Sequence, residues 1–135
     1  MTRDELQDLC FGRHDFAPPD DTIEAVFGEH VVAHVTCYHR EVLVGGETVP
    51  VWGIAQVCTH PSWRRLGLAS TLIRAAHRAG AEAGYDFAVL FSDYRRFYGP
   101  HGYQPVEVDG LPMLVAAIHD PAPQWPPGAV ETLTW

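Results

Sequence analysis

Apolar and polar positions change period once along the chain, near Gly67. Before that point the apolar residues sit in extended, β-branched runs. Residues 22–27 form one such run and turn at Gly28-Glu29; residues 30–44 form a long second run closed by Gly45-Gly46; residues 48–59 form the third. Gly-containing turns between β-rich runs predict an antiparallel meander. Pro50 and Gly53 predict an edge or a bulge inside the third run. After Gly67, residues Leu68, Leu72, Ala75, Ala76, Ala79 and Ala83 recur at helical spacing, which predicts an amphipathic helix with Gly84 as its stop. Residues 85–92 are almost wholly apolar and follow that helix, as a buried parallel strand does. Asp93 reads as the N-cap of one or two helical turns over Tyr94–Gly99. Residues 102–108 and 111–118 form a hairpin around Asp109-Gly110, and a last short strand is expected at residues 129–133. Ahead of all this, Thr2-x-x-Glu5 is a capping box for a helix reaching about Phe11, and Pro18-Pro19 mark a loop. A meander followed by strand, helix, strand, helix and hairpin predicts an α+β (mixed α/β) fold. It is one domain over residues 1–135, with a mostly antiparallel central sheet flanked by helices.

Composition narrows the function classes. The chain carries a net charge of −8, and acids crowd its start: Asp4, Glu5, Asp8, Asp15, Asp20, Asp21, Glu24 and Glu29. Such a surface does not fit nucleic acid, whose phosphates need a basic face, but would attract a cationic substrate such as an amine. No apolar run approaches the roughly 20 residues of a membrane span, and the N-terminus is too polar for a signal peptide. A cytoplasmic location is expected. Cys10, Cys37 and Cys58 are scattered, and the eight histidines show no ligand spacing on a helix, so no disulfide framework and no metal are expected.

Against that acidic background, Thr59–Ser70 (THPSWRRLGLAS) gathers two arginines and small residues between a strand and a helix. The first N–H groups of a helix lack partners and carry the positive end of the dipole, the geometry that binds phosphate or pyrophosphate. Gly67 allows close backbone approach; Leu66, Leu68 and Ala69 offer amides; Arg64 and Arg65 add charge.

Arg64-x-x-Gly67-x-Ala69 resembles the acyl-coenzyme A signature of the GNAT superfamily of N-acyltransferases, Gln/Arg-x-x-Gly-x-Gly/Ala. Further along, Arg95–Val106 (RRFYGPHGYQPV) resembles the second marker of that family, a Tyr ahead of Gly-Phe/Tyr. The resemblance runs from about Thr22 to Val106. It is nearest to the branch of aminoglycoside acetyltransferases of the enhanced-intracellular-survival type. It implies that acetyl-CoA is the cosubstrate, with its pyrophosphate on the amides of Arg65, Leu66, Gly67, Leu68 and Ala69. The pantetheine arm would pair with Val57, Cys58 and Thr59, in a slot completed by the strand ending at Ser92. Tyr98 would be the general acid; a phenol of pKa ~10 keeps its proton at neutral pH and can give it to a departing thiolate. The amine attacks the thioester directly, with a backbone N–H near Cys58 or Thr59 steadying the oxyanion. Cys58 is expected to pack rather than to carry an acyl group.

Three positions depart from the family pattern. Ala55 stands where the family often places a basic Glu, and Gln56 cannot take a proton. This leaves a water chain, His34, His39, Glu41, Asp93 or the Trp135 carboxylate as base. The family's first strand and paired helices, which roof the acceptor site, are replaced by the short segment before residue 22. That site is then open, completed by the second subunit of a homodimer, or defective. The helix-capping Asn before the family's Tyr is absent, with Ser92-Asp93 nearby. The leading expectation is an N-acetyltransferase for a small primary amine. The alternatives are transfer of a longer acyl chain and a non-catalytic acyl-CoA-binding module.

Overall fold

The computed structural model describes residues 1–12, 16–108 and 110–134. The elements are α1 (Arg3–Phe11), β1 (Asp21–Phe27), β2 (His30–Val44), β3 (Glu47–Thr59), α2 (Leu68–Glu82), β4 (Phe87–Phe91), α3 (Arg95–Tyr98), β5 (Gln104–Val108), β6 (Leu111–Ala117) and β7 (Val130–Thr134). The strands are hydrogen-bonded in the order β1-β2-β3-β4-β6-β5, with β7 on β2, which makes the fold mixed α/β. The chain forms two compact units, Met1–Tyr38 with Ile54–Ala76, and His39–Gly53 with His77–Trp135.

The first unit holds α1, β1, the first half of β2, the second half of β3 and the start of α2. The capping box is formed: Thr2 Oγ1 accepts from the Glu5 N–H (3.2 Å) and Glu5 Oε1 accepts from the Thr2 N–H (3.2 Å). Leu6 is the one fully buried residue of α1, and the helix is tied to β1 by Arg3 Nη1 donating to Thr22 Oγ1 (3.2 Å). β1 pairs antiparallel with β2, Thr22 opposite Thr36 and Glu24 opposite His34. Residues 32–38 of β2 are buried without alternation, so both faces of this stretch are covered.

In the second unit, β4 pairs in parallel with β3, Trp52 opposite Ala88 and Gly53 opposite Val89. β6 runs antiparallel to β4 on one side and to β5 on the other. Its core gathers Val42, Val44, Val49, Val51, Phe87, Val89, Val108, Met113, Val115 and Val130. The tail returns as β7 on β2, Val42 opposite Leu133. The C-terminus of α2 is a Schellman motif. Gly84 is left-handed (φ 98°), its N–H donates to Ala81 O (3.1 Å), and the Tyr85 N–H donates to Gly80 O (3.0 Å). Those bonds consume Tyr85, so β4 starts at Phe87 rather than at residue 85. The predicted turn residue Asp109 lies outside the described residues.

Gly80 shows how closely α2 packs. A Cβ there would lie 2.5 Å from Trp52 Cδ1 and 2.8 Å from Ile118 Cδ1, and the Trp52 ring is itself backed by Tyr85 (5.0 Å between centroids). Gly80→Ala gains about 1 kcal/mol of helix propensity but overpacks a buried indole. We expect a net loss of roughly 1–2 kcal/mol, read as a lower urea midpoint with an unchanged m-value.

Candidate active site

The strand-to-helix turn is built entirely within the first unit. Beyond β3, the His60 N–H donates to Val32 O (2.7 Å), and His60 Nδ1 accepts from the Ser62 N–H (3.0 Å). His60 thus caps a single 3-10 turn, Pro61–Trp63, and Trp63 packs on Phe27 with centroids 4.9 Å apart. Arg64 folds back, its Nε donating to Thr59 O (3.1 Å). Then two left-handed residues occur within three positions, Arg65 (φ 65°) and Gly67 (φ 77°), immediately before α2. The first helical acceptor is Gly67 O, which takes both the N–H (3.1 Å) and the hydroxyl (3.0 Å) of Thr71. The amides of Leu68 and Ala69, in the first turn, have no acceptor within the helix, and two left-handed residues around Leu66 bend the backbone that leads into them. Residues 64–67 are exposed, Leu66 to 65%, which leaves the turn open to a ligand.

The end of β3 carries a feature with no signal in the sequence. Gln56 has φ 43°, a left-handed residue inside a strand, as in a β-bulge. Its side chain is anchored on β2: Oε1 lies 3.0 Å from the Tyr38 hydroxyl and is also bonded by the Thr36 hydroxyl. The positive-φ residue of this third run is thus Gln56. Val57 and Thr59 are half-buried and Cys58 is buried. Burial and the neighbouring Cys10 thiol push the Cys58 thiol far above its usual pKa, so it stays protonated and a weak nucleophile.

Tyr98 ends α3 in the second unit. The residue is 9% exposed, and its ring meets Phe97 edge-on (4.8 Å) and Tyr103 edge-on (5.7 Å). Burial raises the pKa of its phenol. Ser92 caps the turn before it: Ser92 Oγ accepts from the Tyr94 N–H (2.9 Å), while the Ser92 N–H donates to Pro112 O (3.0 Å). The N-cap of α3 is Tyr94 and not Asp93, and it makes no side-chain cap bond; its own N–H is the one held by Ser92.

The acetyltransferase (GNAT) domain profile matches residues 3–106. The chain belongs to the GNAT acetyltransferase family. It is 34% identical over 79 residues to the N-acetyltransferase Eis of Mycobacterium tuberculosis, a match covering 58% of this chain and 20% of that protein. The chain thus spans about a fifth of the length of that curated relative. A GNAT family acetyltransferase from Brucella melitensis, solved with acetyl-CoA, superposes with a TM-score of 0.62 at 23% identity, over 82% of this chain and 64% of that one. An Escherichia coli GNAT family N-acetyltransferase solved with CoA gives a TM-score of 0.61 at 24% identity, over 74% and 59%.

Within this GNAT domain, the base candidates differ sharply in setting. His34 is fully buried and neither ring nitrogen has a hydrogen-bond partner. Burial, with the nearby Arg3 charge, lowers its pKa to about 4. His39 is exposed, its Nδ1 2.5 Å from the Tyr85 hydroxyl and its Nε2 3.9 Å from Glu41. Asp93 is exposed, and its carbonyl accepts from the Arg95 N–H (2.9 Å). The Trp135 carboxylate lies outside the described residues. Among the described residues no group of three or more His, Cys, Asp or Glu side chains is arranged to hold a metal ion. No described helix is long and apolar enough to cross a membrane.

His34 links the fold to pH. The unfolded chain protonates this imidazole near pH 6.5, the folded one only near pH 4, so between those values the unfolded state binds more protons. Stability from this group is constant above pH 6.5 and falls as pH drops towards 4. We expect a loss on the order of 2 kcal/mol across that window, with a shallower slope in His34→Leu, read by denaturant melts at stepped pH.

Proposed function

We propose that this chain is an N-acetyltransferase that moves the acetyl group of acetyl-CoA to a primary amine of a small molecule by direct attack. The observation that carries this reading is the left-handed pair Arg65 and Gly67 directly ahead of α2, in a chain of the GNAT family. The pyrophosphate sits on the amides of Arg65, Leu66, Gly67, Leu68 and Ala69, with Arg64 and Arg65 supplying charge. The pantetheine amides pair with the backbone of Val57, Cys58 and Thr59, and Ser92 lines the same arm. The amine nitrogen attacks the thioester carbonyl, and a backbone N–H at Cys58 or Thr59, just past the Gln56 kink, takes the oxyanion. The C–S bond breaks as Tyr98 gives its proton to the sulfur, and the proton that the nitrogen loses passes through water to restore the Tyr98 phenol. A phenol whose pKa is raised by burial is fully protonated at neutral pH, which supports that role. A cytoplasmic location, where acetyl-CoA is abundant, belongs to the same reading.

For the acceptor, the first unit offers a cleft of about 420 Å³ whose lining includes Asp4, Asp8, Thr36 and Tyr38. Arg3 also lines it, 4.0 Å from Asp4, so two carboxylates against one guanidinium leave a net negative lining that suits a cationic amine more than an anion. Asp8→Asn should raise KM for the amine by roughly fivefold, the weight of a partly exposed charge pair, and leave KM for acetyl-CoA unchanged. Equal KM values for the amine would remove the cleft from the reaction.

The deciding experiment measures free CoA thiol released from acetyl-CoA with aminoglycosides, polyamines, amino acids and peptides. Stimulation by one amine class establishes the transferase and names its acceptor. Binding of acetyl-CoA without turnover on any amine, repeated with longer acyl-CoAs, would replace the reading with a longer-chain transferase or a non-catalytic acyl-CoA-binding module.

A further inference from the structure

The second unit holds a cage of aromatic rings whose polar links no part of the reaction above requires. His77 lies on α2, half-buried, and its Nε2 is 2.7 Å from the Tyr103 hydroxyl. The two rings also pack, with centroids 5.3 Å apart. Tyr103 is 5% exposed and makes one hydrogen bond and one ring contact with Tyr98: its N–H donates to Tyr98 O (3.4 Å), and its ring meets Tyr98 at 5.7 Å and 79°. His101 stands behind both, 6.4 Å from the His77 ring and 5.6 Å from Phe97. Tyr98 ends a helix of only four residues, α3, too short to fix a side chain by itself. Its orientation must come from this packing.

We propose that His77 is a positioning residue for the transfer step: by fixing the Tyr103 hydroxyl to α2, it holds the Tyr98 phenol at the angle from which it protonates the leaving sulfur. The inference rests on the reading of Tyr98 as the acid. His77 and Tyr103 act through Tyr98 and need not touch either substrate. Burial and neighbouring His101 lower the pKa of His77 to about 4, so at neutral pH the ring is uncharged and Nε2 is free to accept from the Tyr103 hydroxyl.

The test is a double-mutant cycle on turnover, using acetyl-CoA and the most effective amine of the panel. His77→Leu and Tyr103→Phe should each lower kcat by roughly 10-fold with KM for acetyl-CoA unchanged, because a small misplacement of a reacting group is felt in the transition state. His77→Gln, which can still accept from the Tyr103 hydroxyl, should restore most of it. In the Tyr98→Phe background the same substitutions should cost nothing further, since the group they position is gone. Additive losses there, or full kcat in His77→Leu beside an impaired Tyr98→Phe, would overturn the inference alone. Full kcat in Tyr98→Phe would overturn the reading of Tyr98 and this inference with it. A ligand-free readout is tyrosinate absorbance, each variant measured against the same variant carrying Tyr98→Phe, which isolates the Tyr98 phenol from Tyr103 and from the ionisations of His77 and His101. Loosening the cage in His77→Leu should admit water and bring the Tyr98 pKa down towards its ordinary value; an unmoved value counts against the proposal.

Discussion

Tyr98→Phe should leave acetyl-CoA binding intact and lower kcat by roughly 10²- to 10³-fold, the range expected for loss of a general acid. The substitution removes one hydroxyl and keeps the ring that packs against Phe97 and Tyr103, so the second unit should melt as before. Without the phenol, the sulfur must leave as a thiolate with water as the only donor. The effect should fall on kcat and kcat/KM equally, as for an interaction made only in the transition state. The pH profile adds an independent check. Burial raises the phenol pKa, so the alkaline decline of the wild-type rate should lie above the ordinary phenol value and vanish in the variant. Thiol-release kinetics with calorimetric acetyl-CoA titration would measure both. A variant with full kcat would end the assignment of Tyr98.

The second large effect concerns the cradle. Gly67 has φ 77°, and a Cβ built there meets nothing within 4 Å, so a side chain would not clash with the protein itself. Its cost is conformational: a β-branched residue in the left-handed region is disfavoured by about 1–2 kcal/mol. With the pyrophosphate bound at this turn as proposed, relief of that strain would rotate an amide of the site, and the added side chain would stand beside the phosphate. Gly67→Val is therefore expected to weaken acetyl-CoA binding by about 100-fold or more while costing only a few degrees in Tm. Calorimetry on the variant and the wild type measures it. Unchanged affinity would mean that the pyrophosphate is held elsewhere. Comparison with Arg65→Gly separates backbone from charge. That substitution suits the existing φ of 65° and removes only the guanidinium, so it should lose affinity through electrostatics, in proportion to low salt.

The Asp8 and His34 expectations bear on different links of the chain. The first tests where the acceptor binds. The second tests only how a buried, unpartnered imidazole couples folding to pH, and it holds whatever the protein binds.

The sequence by itself determined the elements, because their causes are local. The Thr2 and Glu5 capping box, the period of α2 with its Gly84 stop, and the β-branched runs of β1 to β3 depend on neighbours a few residues away. The Arg64–Ala69 turn was legible for the same reason: Gly67 is the residue type that adopts a positive φ, and its place before a helix dictates unpartnered amides. Tertiary structure decided what depends on distant partners. Gln56 is left-handed although it is not glycine, and Thr36 and Tyr38 anchor its side chain from another strand. The N-cap before Tyr98 is Tyr94 rather than Asp93; Ser92 holds the Tyr94 N–H while its own N–H is held by Pro112 of β6, far along the chain. The insertion of β6 between β4 and β5, and the return of β7 onto β2, follow from burying both faces of apolar strands, which no local pattern encodes. The bond between His77 and Tyr103 spans 26 residues and joins a helix to a turn. Its two ends look ordinary in the sequence, and only packing the rings around Tyr98 brings them together.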